Sequence, residues 1–597
     1  MKLYKLSYAL LLGLATLTSC EDKLDLINPN QQTTGTYGNT ADDLEECVVG
    51  TYKRIRMEGS YARVGYTYDL TRGDEVWNSS QTWNYLPVDD YNTPVTNEET
   101  IWPWREWYYV LNVCNFITSK IEQNEMQMTD KVKAIKGQAL FFRGLAYYNL
   151  VGYYQNPPLI TNYSDYSTLE GLYCTNNTQD EVLDQIEADF KEAMELLPSK
   201  EKGGEWAKGR ATNAAAAGYY ARVLMFRHKF PEALAVLKDI LSKEDNGAQK
   251  YGKYSLVKNF GDNFREGSAY ENNEESLFEV QFLDYGTQGT DDEWTPVNTS
   301  INATQAHAVE SNFCPGVFGG WADLSATPWL YDLFKAERTK EGKLDPRLYW
   351  TLCTYETDWE GFEFGNVAYG TNVKEEQNLC TNNNFGGIPI AKYTNMRTGI
   401  YDKVVTGLRC GINLRMLRYA DILLLAAECE NEVNGPTQQA INWINRVRER
   451  ANLADLSLSD FNTADKLFEQ IANVERPKEF GCEFGRGFDL IRWGFFYDAE
   501  RLQQMKEHNV ARLHNYRSED NTISIKASVD YSMIGSDPEL KSGFDSYRPG
   551  HEYLPISQVT MNENPNLKGN SANDNTDNSG YFFGKGWKVR PVTSLDK

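Results

Sequence analysis

The chain has 597 residues, of which 41% are hydrophobic and 13% aromatic, and it carries a formal net charge of −24 at pH 7. A chain of this length and composition can bury a sizeable core. Its negative field repels phosphate backbones and argues against nucleic-acid binding. The same field disfavours strongly anionic polysaccharides, unless a local basic patch overrides it.

The first 20 residues, MKLYKLSYALLLGLATLTSC, have the features of a bacterial export signal. Two lysines precede an apolar run, residues 8–17, that is too short to span a bilayer. Thr18 and Ser19 are small residues directly before Cys20, an arrangement that resembles a lipobox. The resemblance implies that residues 1–19 are a signal peptide and that Cys20 becomes the acylated first residue of the mature chain. The alternative is an ordinary secretory signal in which Cys20 is incidental.

The mature chain would begin CEDKLDLINPN. Acidic residues directly after a lipid site resemble the signal that exports some lipoproteins to the outer face of the outer membrane. No later segment has enough uninterrupted apolar residues to cross a bilayer. Two or three acyl chains hold a protein firmly, since each buried methylene contributes about 0.8 kcal/mol. We therefore expect a chain that is lipid-anchored to the outer membrane, faces outward and does not span the membrane.

Helical periodicity begins soon after this signal. Apolar residues recur at spacings of three and four over residues 43–57, 101–121 and 130–153, which predicts three helices. Thr178 and Glu181 have the spacing of a capping box and predict the start of a fourth helix.

Two predicted helical hairpins follow. The first pairs residues 211–227 with 230–241, and the second pairs residues 416–433 with 437–451 across an Asn-Gly-Pro turn. The spacing of the first hairpin resembles a degenerate tetratricopeptide repeat. The sequence therefore predicts a mostly α fold in which tetratricopeptide-like hairpins form a scaffold like a short solenoid.

Long irregular insertions interrupt this scaffold. Residues 59–100 and 251–413 have little helical period and are rich in Gly, Asn, Thr, Trp and Tyr, so we expect loops with at most a few short strands and a helix near residue 330. Irregular spans of this length inside a compact protein are usually functional. We expect a single domain, residues 20–597, in three parts: an N-terminal helical part, 20–250, with the loop 59–100; a loop-rich ligand-side insertion, 251–413; and a C-terminal helical part and tail, 414–597.

A family signature runs through the chain in order. Its segments are 143–150 (RGLAYYNL), 157–160 (PPLI), 418–428 (RYADILLLAAE), 441–451 (INWINRVRERA), 475–494 (ERPKEFGCEFGRGFDLIRWG), 553–556 (YLPI) and 564–567 (NPNL). Together, behind a lipobox, they resemble the SusD/RagB family of nutrient-binding outer-membrane lipoproteins. The resemblance implies a protein that binds oligo- or polysaccharides, delivers them to a SusC-like TonB-dependent transporter for import, and uses no cofactor.

Two loop segments, residues 68–85 and 312–329, mix aromatic with polar side chains. Sugar rings pack their apolar faces on Trp and Tyr, while sugar hydroxyls need polar partners. We predict stacking by the aromatic members and hydroxyl binding by the charged members of this set: Asp69, Arg72, Asp74, Trp77, Trp83, Tyr85, Trp321 and Trp329. The alternative is that these aromatics lie in the core or pack against the partner protein.

Catalytic and metal-binding motifs are missing from the sequence. It contains no Walker loop, no H-E-x-x-H and no G-x-S-x-G, and its five histidines form no ligand pair at helical spacing. Arg486, Asp489 and Arg492 recur at helical spacing, which is typical of structural ion pairs. We therefore predict that the chain is not an enzyme and binds no metal.

Three alternatives stay open. Carboxylates are plentiful, so a lipid-anchored helical glycoside hydrolase with a catalytic pair is one. A family member that binds peptide or glycoprotein is the second, and a purely structural scaffold without a small ligand is the third.

Overall fold

The computed structural model of the chain describes residues 37–78, 85–242, 250–283, 306–314, 320–321, 323–352, 388–397, 409–512 and 540–593. Cys20 and Trp83 lie outside these residues. The helices of the N-terminal part are α1 (Ala41–Arg54), α2 (Val64–Thr71), α3 (Leu86–Asp89), α4 (Ile101–Gln123), α5 (Asp130–Tyr154), α6 (Leu169–Leu172), α7 (Gln179–Leu196), α8 (Asn213–Phe226) and α9 (Phe230–Leu241).

The later helices are shorter on average. Those of the middle part are α10 (Val309–Phe313), α11 (Pro328–Lys335) and α12 (Pro346–Thr351). Those of the C-terminal part are α13 (Tyr419–Asn434), α14 (Gln438–Arg450), α15 (Ala464–Gln470), α16 (Arg476–Phe480), α17 (Arg486–Arg492), α18 (Ala499–His508), α19 (Gln558–Glu563), α20 (Ser571–Asp574) and α21 (Ser579–Gly584).

The described strands are short and form antiparallel pairs. They are β1 (Val76–Asn78), β2 (Ser276–Val280), β3 (Leu324–Ala326), β4 (Leu414–Arg418), β5 (Val510–Arg512) and β6 (Leu540–Ser542). Strand β1 pairs with β3, β2 with β4, and β5 with β6. The pair β1–β3 joins the two irregular insertions to each other, and β2–β4 joins the later insertion to the start of the C-terminal helical part.

The long helices pack in a row. Helix α4 packs on α5, α5 on α7, α7 on α8, α8 on α9, α9 on α13, and α13 on α14. The early hairpin, α8–α9, therefore lies directly against the late hairpin, α13–α14. This arrangement confirms the predicted mostly α scaffold of helical hairpins with a few short strands.

Local signals in the sequence account for several of these elements. Thr178 and Glu181 form the predicted capping box at the start of α7, where both hydrogen bonds of the motif are present. Helix α8 begins with four buried alanines and Gly218. A Cβ atom on Gly218 would lie 2.4 Å from Cδ2 of Leu417 on β4, so the glycine permits this close approach.

Two expectations were wrong. The late hairpin was expected to start at residue 416, but Met416 belongs to strand β4, and α13 begins only at Tyr419. Residues 59–100 were expected to form a loop, but they contain α2, all of whose residues are buried. A helix that is buried on every side has no polar stripe, so hydrophobic periodicity does not reveal it. Within the described ranges, no helix combines the length and apolar character needed to cross a membrane.

Candidate functional site

Strands β1 and β3 bring together the two loop segments that were predicted to bind the ligand. Trp77 of the first segment is opposite Ser325 of the second in the antiparallel register. The backbone N–H of Trp321 donates to the carbonyl of Ser311 at 2.7 Å, which returns the chain to α10 just before β3. Two segments separated by more than 200 residues therefore form one continuous part of the molecule.

The guanidinium of Arg63 is the centre of this region. Its Nη1 donates a hydrogen bond to the hydroxyl of Tyr85 at 2.5 Å. Its Cζ lies 5.9 Å from the ring centroid of Trp321 and 5.7 Å from that of Trp102, within the range of cation–π contacts. We call these four residues the Arg63 cluster. Tyr85 and Trp102 are buried and Trp321 is half-buried, so Trp321 is the aromatic member with solvent-accessible ring area.

Two buried carboxylates lie close to the guanidinium of Arg63. Oε2 of Glu58 lies 2.7 Å from Nε of Arg63, and Oε1 of Glu99 lies 3.9 Å from its Nη2. Burial opposes the positive charge of Arg63, but Glu58, Tyr85 and Glu99 raise its pKa well above the ordinary value. Burial also raises the pKa of Tyr85; Arg63 opposes the rise, and Glu99, Asp323 and Glu58 add to it. Arg63 therefore stays charged and the Tyr85 hydroxyl stays protonated, and both are buried groups whose hydrogen bonds are made within the protein.

The three charged residues of the predicted set have internal partners. Asp69 accepts a hydrogen bond from the backbone N–H of Gly485 at 2.5 Å. Arg72 donates to the carbonyl of His551 at 2.5 Å, and Asp74 accepts from Nε of Arg486 at 2.6 Å. All three are buried, with side chains that connect the first loop to α17 and the C-terminal tail. Their role in binding hydroxyls stays a prediction, and their burial argues against it.

The remaining aromatics of the predicted set lie in different surroundings. Trp77 is buried in β1. Trp329 is half-buried and stacks on His508, with ring centroids 3.7 Å apart and an angle of 6° between the planes. Cζ of Arg486 also lies 5.8 Å from the Trp329 ring, so Trp329 belongs to the group around Asp74. Of the predicted set, the structure thus brings Tyr85 and Trp321 together around one cation, and Trp83 lies outside the described residues.

Arg63, Trp102, Glu58 and Glu99 were missed by the sequence reasoning. Trp102 is one of three tryptophans near the start of α4, and it is buried. Glu58 is the first residue of a five-residue π-helical turn, Glu58–Ala62, and Arg63 directly follows it. The spacing of five residues between these opposite charges was the one available signal, and it is too common to identify a site.

The family signature builds the scaffold behind this region. Arg492 pairs with Glu428 of α13 at 2.5 Å and with Asp489 at 2.7 Å. Arg418 pairs with Glu275 at 2.5 Å, and it also contacts two carboxylates of the segment around α16. These pairs are buried and link segments that are distant in sequence, which confirms the interpretation of the signature charges as structural ion pairs.

The described residues contain no group of three or more His, Cys, Asp or Glu arranged to hold a metal ion. A partly exposed aromatic ring of this kind can pack against the apolar face of a sugar ring. The chain matches the model of the SusD family over residues 274–581, and a second model, described as starch-binding and associating with the outer membrane, over residues 22–225. Because the first match covers more than half of the chain, this protein belongs to the SusD family.

Individual relatives agree with this assignment. The SusD-like protein P2 of Formosa agariphila is 25% identical over an alignment of 507 residues. The alignment covers 82% of this chain and 91% of that protein. The crystal structure of a SusD superfamily protein from Bacteroides vulgatus superposes with a TM-score of 0.68 at 23% identity, over 90% of this chain and 100% of that one. Surface glycan-binding protein A from Bacteroides uniformis superposes with a TM-score of 0.62 at 20% identity, over 89% of this chain and 100% of that one.

Proposed function

We propose that the protein is a cell-surface lipoprotein that binds an oligo- or polysaccharide and delivers it to a SusC-like TonB-dependent transporter, without cleaving it. The observation that carries the proposal is the joining of the two aromatic loops by β1 and β3, with Trp321 partly exposed above the guanidinium of Arg63. The ring face of Trp321 suits the apolar face of a sugar.

The anchor and the partner form the second part of the proposal. We propose that Cys20 carries the acyl chains and that the chain faces outward. In support, one of the family models that the chain matches, over residues 22–225, is described as associating with the outer membrane.

Trp321→Ala tests the site. We expect the affinity for the polysaccharide that the wild type binds best to fall at least about tenfold, which corresponds to ~1.4 kcal/mol of lost stacking. Isothermal titration of starch, laminarin and glucomannan measures this. Trp587→Ala is the matched control. Trp587, near the C terminus, is also half-buried, but its ring stacks on His228 and not on the Arg63 cluster. Equal affinities of Trp321→Ala and the control would contradict the assignment.

The same samples test the absence of catalysis. Incubation of the protein with each bound polysaccharide should release no new reducing ends over many hours. Steady release of product would favour a glycoside hydrolase instead. Binding to peptides that carry no sugar, with no binding to any polysaccharide, would favour a family member that captures peptides.

A further inference from the structure

A cleft of about 320 Å³ lies between the turns that follow α7 and strand β2. Its walls carry two cations, two aromatic rings and two small polar side chains, those of Lys200, Arg210, Trp206, Tyr254, Asn272 and Ser276. None of these residues belongs to the Arg63 cluster. The volume lies in the range of small-ligand sites, and a few polar groups beside aromatic rings are the usual lining of such a site.

Gly209 brings the turn that carries Trp206 close to strand β2. Its φ of 105° lies in a region that residues with a Cβ atom rarely adopt. A Cβ atom at this position would also lie 2.5 Å from Cδ of Gln281, the residue that follows β2. The close approach of the turn to the strand is therefore built into the backbone, and it places the buried ring of Trp206 in the wall of the cleft.

Lys200 is a half-buried cation that forms no ion pair with the described residues. Its Nζ lies 3.7 Å from the ring centroid of Tyr254, within the range of cation–π contacts. The neighbouring Glu201 instead accepts a hydrogen bond from the backbone N–H of Lys253 at 2.9 Å. Burial lowers the pKa of Lys200 to about 8, although Glu201 and Glu274 favour its charged form. An anionic ligand beside Nζ would stabilise the charge that burial disfavours.

Arg210, the second cation of the cleft, is already paired. Its Nη2 lies 2.6 Å from Oε1 of Glu45 and 3.0 Å from Oε2 of Glu205. Its Nη1 donates a hydrogen bond to Oε1 of Gln138 at 3.0 Å. An anion that approached Arg210 would have to compete with these two carboxylates, whereas the ammonium of Lys200 is not held by one.

Glu279, the carboxylate that lines the cleft, is engaged as well. It accepts a hydrogen bond from the backbone N–H of Asn272 at 3.0 Å and lies 3.3 Å from Nε of the buried Arg415. In contrast, the hydroxyl of Ser276 has no hydrogen bond to a described residue, while its backbone N–H donates to Asn273 at 3.2 Å. This hydroxyl can therefore bind a polar group of a ligand.

We infer that this cleft binds an acidic sugar, whose carboxylate pairs with Lys200 and whose hydroxyl groups are bound by Ser276; the inference rests on the proposed function. A uronic acid carries both kinds of group on one ring, and the rings of Trp206 and Tyr254 suit its apolar C–H groups. Lys202, exposed on the same turn with Nζ 5.3 Å from the Trp206 ring, adds positive charge. The net charge of −24 opposes an acidic ligand, but salt screens charges more than ~8 Å away far more than a pair in contact.

The test compares each acidic sugar with its own neutral form. Oligogalacturonate and oligomannuronate are titrated into the purified mature chain, each beside its methyl ester. We expect at least one of the two acids to bind, and its ester to bind at least about tenfold more weakly, because the ester cannot form the charged hydrogen bond to Lys200. Mild hydrolysis of the ester back to the acid should restore the affinity, which controls for damage to the sugar.

A charge-removing variant and the pH show whether Lys200 is the partner of the carboxylate. Lys200→Met keeps most of the side-chain volume, and it should lower the affinity for the acid at least about tenfold. Lys191→Met, which removes an exposed lysine of α7, is the matched control and should keep the wild-type affinity. In the wild type, the affinity should fall several-fold from pH 7 to pH 9, because Lys200 loses its proton around pH 8 while the sugar stays ionised. Lys200→Met should lack this dependence on pH.

The outcomes separate the inference from the proposed function. Trp321→Ala should keep the affinity for the acid, and Lys200→Met should keep the affinity for the neutral polysaccharide. The inference is overturned, and the proposed function stands, if neutral polysaccharides bind but neither acid does. Equal binding of acid and ester, or equal affinities of Lys200→Met and Lys191→Met for the acid, would also overturn it. If neither neutral nor acidic glycans bind, both fail. Should Lys200→Met not fold, the pH dependence of the wild type decides, and a flat profile overturns the inference.

Discussion

Asp74 is the buried carboxylate for which sequence and structure suggest different roles, and Asp74→Asn separates them. The sequence placed it among the groups that bind sugar hydroxyls. In the structure its oxygens accept from Arg486 at 2.6 and 2.9 Å and lie 2.7 Å from Nδ1 of His508. Burial alone would raise the pKa of Asp74, but Arg486 and His508 hold it below its ordinary range.

The expected loss of folding free energy in Asp74→Asn follows from Arg486, the charged partner that remains. The amide has nearly the same size but no charge, so the buried guanidinium of Arg486 loses its main counter-ion. Breaking a buried pair in this way costs about 3–5 kcal/mol. We expect the lower end, about 3 kcal/mol at pH 7, because Asn still accepts one hydrogen bond and Glu75 lies 3.8 Å from Nε of Arg486.

Urea unfolding followed by tryptophan fluorescence measures this loss, and its pH dependence has a defined sign. Because the folded-state pKa of Asp74 is lowered, its stabilisation is present above the unfolded pKa of about 3.9 and disappears as the pH falls. The difference in stability between wild type and variant should therefore be full at pH 7 and shrink below pH 4. Glycan affinity of the folded variant should stay close to that of the wild type.

Asp69→Asn is the matched control, because Asp69 is an equally buried carboxylate with the opposite shift. Burial raises its pKa to about 7, while the N–H of Gly485 opposes the rise. Because its folded-state pKa is raised, the folded chain keeps a proton that the unfolded chain releases, so the wild type loses stability as the pH rises from about 4 to about 7. We expect Asp69→Asn to flatten this slope. Because about three pH units at ~1.4 kcal/mol each no longer count against folding, and Asn still accepts from Gly485, the variant should be as much as ~4 kcal/mol more stable than the wild type at pH 7.

The reasoning would be refuted by an Asp74→Asn protein of wild-type stability whose glycan affinity falls tenfold or more. That result would support the hydroxyl-binding role predicted from the sequence. A large loss of stability in Asp69→Asn together with none in Asp74→Asn would show that the two electrostatic environments have been assigned the wrong way round.

Two further substitutions test the lipid anchor and the core packing. The Cys20→Ala protein should bind glycan in solution like the wild type, but it should be absent from the membrane fraction and fail to support glycan uptake. If it no longer bound glycan, the proposal that the anchor and the binding site are separate would be wrong. Gly218→Ala should lower the free energy of unfolding by about 1–3 kcal/mol, because the new Cβ would lie 2.4 Å from Cδ2 of Leu417. A melting temperature equal to that of the wild type would show that the Leu417 side chain moves away at no cost in free energy.

Much of the scaffold could be predicted because its signals are local. Apolar spacing of three and four residues predicted α4, α5 and the hairpin α8–α9, and the Thr178–Glu181 pair marked the start of α7 within one residue. Elements that lack such a local sequence pattern were not predicted. Helix α2 is buried all round and was expected as a loop, and the short β4 was read as part of the helix that follows it.

Only part of the site could be predicted from the sequence. The composition of the two aromatic loops singled them out as candidate binding segments. Their positions in the chain, however, could not show that β1 pairs with β3. Composition also could not separate the charged residues by role: Asp74 pairs with Arg486, 412 positions away, whereas Glu58 and Arg63, which attracted no notice, form the base of the cluster.

The sequence by itself determined the helical hairpins, the motifs of the SusD family and the expectation of a lipid at Cys20. Each of these depends on residues within a few turns of one another or on an ordered set of short segments. The tertiary structure alone decided that Tyr85 and Trp321 share the guanidinium of Arg63 and that Asp69, Arg72 and Asp74 are internal. The physical reason is that burial and the partner of a charge are set by contacts between distant segments, which no local pattern encodes.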